Sequence, residues 1–149
     1  MNPAALLQAA CFAARKHRDQ RRKDAAESPY INHPLAGVNV LASEAGVIDQ
    51  SLLIAALLHD TVEDTAITFD SLIEAKVPPQ VIVMVDNLTL RKGEETYYDY
   101  IIRVAEAQTM ARWIKAEDLI HNGSSLSKGS MLDKYRFAYA RVTGENPPF

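Results

Sequence analysis

The stretch LLHDTVEDT, residues 57–65, closes the apolar run SLLIAALL with four ionisable side chains, His59, Asp60, Glu63 and Asp64. On a helix each residue turns about 100°, so these positions share roughly a 140° arc and form one acidic, histidine-bearing face. Crowded carboxylates repel by about 4 kcal/mol per pair at ~4 Å and an effective dielectric near 20, a large part of a domain's stability. A divalent cation removes that penalty, and imidazole nitrogen with carboxylate oxygen suits manganese, iron or zinc. The competing account is a helix end that becomes solvated on leaving the core.

Two other stretches bear on the choice. In PYINHP, His33 stands at the start of a helix behind a proline-restricted loop, where its ring can be aimed inward. In IKAEDLIHN, the residues Asp118, His121 and Asn122 share one helical face at i, i+3 and i+4. His33, His59, Asp60 and Asp118 then offer two imidazoles and two carboxylates from three helices, with coordination positions left open for water and substrate.

The elements that must position these residues read as helix after helix. The spacing and capping residues predict helices over Pro3–His17, His33–Glu44, Asp49–His59, Thr68–Ala75, Pro78–Leu88, Glu95–Ala107, the ARWIKAEDLIHN stretch and Met131–Val142. SLLIAALL is apolar on every side and is expected to be the central, buried helix. VIVMV at 81–85 has strand character but no partner run of similar kind. With 149 residues, 48% hydrophobic content and no interdomain linker, the expectation is one all-α domain over residues 1–149, a bundle of about eight helices around that central helix.

Charge and cysteine usage limit the partners. A net charge of −3 with basic residues dispersed apart from Arg21, Arg22 and Lys23 gives no broad footprint for a nucleic-acid polymer; the small cluster fits a small anion. The single cysteine, Cys11, forms no internal disulfide and is expected as a small core residue on an apolar helix face. No run of roughly 18 uncharged apolar residues and no secretory signal pattern is present, so the expectation is a soluble, cytoplasmic protein that does not engage a membrane. Oligomeric state is not legible.

The ordered set H…HD…D resembles the HD phosphohydrolase superfamily. HRDQRRKD, SPYINHPL, EAGVIDQSLLIAALLHDTVEDT and IKAEDLIHN are similar, over residues 5 to about 126, to the hydrolase domain of the stringent-response Rel/Spo family, especially its small stand-alone alarmone hydrolases. That resemblance implies one manganese ion held by His33, His59, Asp60 and Asp118, with Glu63 and Asp64 activating water. The implied substrate is guanosine carrying a 3′-pyrophosphate, (p)ppGpp, cleaved to GDP or GTP and pyrophosphate. By position, Arg22 and Lys23 contact the base, Asn122 the sugar or its neighbour, and Tyr135 the phosphate end. The chain departs from the stand-alone hydrolases at LTLRKGEETYYDYI and at GSSLS after Asn122; Arg91 and Lys92 in the first of these are candidate phosphate contacts. Alternatives from the same chemistry are a phosphatase for the 2′-phosphate of NADPH or for an adenine alarmone. From other classes come a catalytically silent nucleotide-binding module and a purely structural helical protein.

Overall fold

The computed structural model describes residues 2–149, and among them every regular element is a helix: α1 Pro3–Lys16, α2 Asn32–Ser43, α3 Gln50–Leu58, α4 Thr61–Asp64, α5 Phe69–Glu74, α6 Pro79–Leu88, α7 Tyr97–Glu106, α8 Ala111–Gly123 and α9 Ser130–Thr143. The VIVMV run lies inside α6, and one isolated bridge, Arg21 to Pro29, is the extended pairing found. The chain divides into two compact units, one through Thr89 and one from Leu90 to Phe149.

The first unit is built on α3. Leu52 through Leu58 are all buried, and α1, α2 and α6 each pack against this helix. A helix apolar on all sides has no solvated face, so neighbours must surround it. Its start is fixed by Asp49, whose carboxylate accepts the Leu52 N–H at 3.0 Å. Asn2 caps α1 in the same way through Ala4, and Thr68 caps α5 in a reciprocal pair with Ser71.

In the second unit, α9 packs on α7 and α8, burying Ile101 and Val104 of α7, Ile114 and Leu119 of α8, and Leu132, Ala138 and Val142 of α9. Thr96 and Asp99 form a capping box on α7. Gly144 ends α9 in the left-handed region, at φ 77°, where glycine carries no Cβ clash.

Two expectations change. Cys11 is exposed on α1, not a core residue; the buried positions of that helix are Ala9 and Ala13, each two residues away on its other side. The helix entering HDTVEDT also does not run through it. α3 ends at Leu58 and a separate turn, α4, begins at Thr61, so His59 and Asp60 occupy a break. Side chains of the motif itself complete that end: His59 Nδ1 lies 2.8 Å from Ala56 O, and Thr61 Oγ1 donates to Leu58 O at 2.7 Å. Helix-terminal carbonyls that lack a partner in the next turn are thus satisfied.

Candidate metal and catalytic site

Three of the expected ligands converge within the first unit. The ligand atoms of His33, His59 and Asp60 all lie within 4.8 Å of one another, with both imidazoles buried. His59 Nε2 is 3.0 Å and His33 Nε2 3.7 Å from Asp60 Oδ2, and the two rings stand edge to face at 5.7 Å. Because the carbonyl of Ala56 can only accept, His59 carries its proton on Nδ1, which leaves the Nε2 lone pair for coordination. Two borderline nitrogens and a hard oxygen at this spacing fit a divalent cation. The site is assembled by the α3–α4 break together with the first turn of α2, where His33 stands.

Tyr30 braces the cluster. Its hydroxyl donates to Asp60 Oδ2 at 2.6 Å, and its ring lies 5.8 Å from His33 and 4.8 Å from His17. The loop that carries it is closed by its own backbone: Arg22 N–H donates to Ser28 O at 2.8 Å and Tyr30 N–H to Gln20 O at 3.0 Å. Asp24 ties the turn through the N–H and hydroxyl of Ser28, and these hydrogen bonds hold its carboxyl below its ordinary pKa. The Arg22 guanidinium sits 5.9 Å over the Tyr30 ring, at the outer edge of cation–π range, and Lys23 is exposed.

Glu63 and Asp64 follow on α4, half-buried and exposed respectively. Asp64 Oδ2 accepts a hydrogen bond from Gln20 Nε2 at 3.2 Å.

The remaining candidates lie in the second unit. Asp118 is buried on α8, its Oδ2 2.7 Å from Lys115 Nζ and its Oδ1 2.7 Å from Asn122 Nδ2. The shared face of Asp118 and Asn122 expected from the spacing is therefore present. Burial is the largest single influence and acts against the Lys115 ammonium, but the adjacent Asp118 carboxylate together with Tyr100 and Tyr97 outweighs it and holds the Lys115 pKa well above its ordinary value. Arg91 and Lys92 are exposed in the turn before α7, where Arg91 N–H donates to Glu95 Oε1 at 3.0 Å. Tyr135 is half-buried on α9.

Tyr30, His17, Gln20 and Lys115 had no role in the sequence reading. The i, i+3 spacing of Lys115 and Asp118 on one helix was a usable signal for the last of them. Nothing local marks the other three, because the contacts of Tyr30 and Gln20 are made 30 and 44 residues away.

The HD domain family model matches residues 9–118. A human protein named guanosine-3′,5′-bis(diphosphate) 3′-pyrophosphohydrolase MESH1 is 43% identical over 128 residues, covering 84% of this chain and 71% of the relative. Its mouse counterpart is 42% identical over the same shares. A solved structure described as a metazoan ortholog of SpoT that hydrolyzes ppGpp superposes with a TM-score of 0.82 at 31% identity, over 98% of this chain and 89% of the other. The chain belongs to the HD domain family, and within it to the relatives of the MESH1 pyrophosphohydrolases.

Proposed function

We propose that this chain is a metal-dependent hydrolase that removes the 3′-pyrophosphate of guanosine alarmones, yielding GDP or GTP and pyrophosphate. The observation that carries the reading is the convergence of His33, His59 and Asp60 directly ahead of Glu63 and Asp64, in a chain 43% identical to a protein named for that reaction. The metal is proposed to be a single manganese ion, with Asp118 as its fourth protein ligand on the strength of the sequence match. The family model runs across residues 9–118, which supports treating the chain as one HD-type hydrolase domain.

A divalent cation so held supplies Lewis acidity and offsets the charge of the pyrophosphate. The chain's own residues do the rest. Water attacks the phosphorus attached to the 3′ oxygen, the bond between them breaks, and the 3′ oxygen leaves as the hydroxyl. Glu63 or Asp64 takes the proton of the attacking water. Arg22 and Lys23 hold the base, Asn122 the sugar, and Tyr135, Arg91 and Lys92 the phosphate end. Their flexible charged side chains can meet a polyanion while staying partly hydrated. A cytoplasmic location goes with such a substrate, since a nucleotide bearing two pyrophosphates does not cross a bilayer unaided.

Incubation of the manganese-loaded protein with guanine and adenine 3′-pyrophosphates and with NADPH tests the reading. Pyrophosphate released from the guanine compounds is the expected result. Release of inorganic phosphate from NADPH, or no turnover of any nucleotide, would overturn it.

A further inference from the structure

Between α1 and the motif lies a chain of contacts that the proposed reaction has not yet used. His17 ends α1 and is 2% exposed; its N–H donates to Ala13 O at 2.9 Å. Three residues on, the Gln20 backbone is pinned on both sides, its N–H donating to His17 O at 2.9 Å and its O accepting from Tyr30 N–H at 3.0 Å. The Gln20 side chain spans two groups, with Oε1 2.7 Å from His17 Nδ1 and Nε2 3.2 Å from Asp64 Oδ2.

The chemistry of those partners fixes every proton in the chain. A carboxylate only accepts, so the amide NH2 must face Asp64, and Oε1 must then face His17, which therefore donates from Nδ1. A reversed amide would set oxygen against oxygen. With Nδ1 protonated, His17 Nε2 is left buried and without a hydrogen-bond partner among the described residues. An apolar ring would fill the same space beside Tyr30 without stranding that nitrogen. It could not donate to Gln20, and the donated proton is what locks the amide in one orientation.

Asp64 has need of such a hold. It is exposed, on a helical turn of four residues, and the Gln20 amide supplies the one side-chain hydrogen bond that its carboxylate accepts among the described residues. A neutral donor is also the suitable kind, because a lysine or arginine there would lower the basicity of the carboxylate. We propose that Gln20, clamped by His17, is a positioning residue that fixes the orientation of the Asp64 carboxylate for taking the proton of the attacking water. The inference rests on the reading that Asp64 acts in the hydrolysis.

The test uses Gln20→Ala, His17→Phe and the double variant. Each single variant is expected to lower kcat about ten-fold with KM within two-fold and unchanged metal content, since misplacing a catalytic group acts on the reacting geometry. The double variant is expected to be no worse than either alone, because both remove the same clamp. Crystal structures of wild type and Gln20→Ala supply the second readout, with the Asp64 carboxylate expected to leave its wild-type orientation. Additive losses, a loss carried by KM, or an Asp64 that keeps its orientation would overturn the proposal. If the wild type hydrolyses no nucleotide, the hydrolase reading fails on its own, and the orientation of Asp64 in the two crystals still decides whether the clamp exists.

Discussion

The Tyr30 hydroxyl donates to Asp60 Oδ2 at 2.6 Å across thirty residues of sequence, tying the loop after α1 to the break at the end of α3. This bond leaves Asp60 one fixed orientation toward His33 and His59. Partners of this kind behind a metal ligand are worth roughly 10- to 100-fold in affinity. Tyr30→Phe keeps the ring against His17 and His33 and removes only the donor. The variant is expected to bind manganese about ten-fold more weakly, as measured by titration against a competing chelator. Equal affinity in the two proteins would show that Asp60 is held by other means.

Within HDTVEDT the residues are expected to divide their work. Asp60→Asn removes the charged oxygen from the three-residue cluster, so metal and activity are expected to go together. Glu63→Gln lies one turn on, on α4, and removes a proton acceptor while leaving the cluster intact; it is expected to keep the metal and lose turnover by about 10²-fold or more. Metal analysis of both purified variants decides the matter. An empty site in Glu63→Gln would make that residue a ligand.

Arg22 is expected to hold the base and not the metal. Its guanidinium already lies over an aromatic ring, Tyr30, at 5.9 Å, and a planar cation can exchange that face for a purine. Arg22→Ala is expected to raise KM about ten-fold and leave kcat within a few-fold, because the contact is equal in ground and transition states. Steady-state kinetics on guanine and adenine 3′-pyrophosphates check this. Unchanged KM for both would end the base-holding role, and a loss confined to kcat would move Arg22 to the phosphates.

Helix positions were legible where a local rule decided them. Pro3 behind Asn2, Thr68, and Gly144 each act within one turn of chain, and each stands where the structure begins or ends a helix. The buried α3 was legible for a different reason, since SLLIAALL offers water no face. What local rules could not show is the break at His59 and Asp60. A continuous helical face accounted for the spacing equally well until the carbonyls of Ala56 and Leu58 were seen to be met by His59 and Thr61. Cys11 was misplaced because helical periodicity alone does not say which of two mildly apolar faces turns inward; the small Ala9 and Ala13 do. The bonds from Tyr30 to Asp60 and from Gln20 to Asp64 depend on the fold bringing distant stretches together, so no spacing announces them.

The turn carrying Arg91 and Lys92 is expected to loosen in acid. Glu95 receives the Arg103 guanidinium as a fork, Nε at 3.0 Å and Nη2 at 2.5 Å, and accepts from the Arg91 N–H as well. The hydrogen bonds from Arg103, opposed by burial and helped by the Arg91 N–H, hold the Glu95 carboxyl below its ordinary pKa of 4.5. A carboxyl whose folded pKa is depressed stabilises the fold fully above its unfolded value and loses that contribution as pH falls through the folded one. Arg103 stays charged throughout, so the titration belongs to Glu95. Wild type is therefore expected to exceed Glu95→Gln in stability by about 1 to 2 kcal/mol at pH 7, the scale of a hydrogen bond to a charged group. The difference should persist down to about pH 4.5 and shrink below it as Glu95 takes up its proton. Urea unfolding of both proteins at pH 7, 5 and 3 measures the gap; a constant offset at all three would mean that Glu95 stabilises the turn by shape and not by charge.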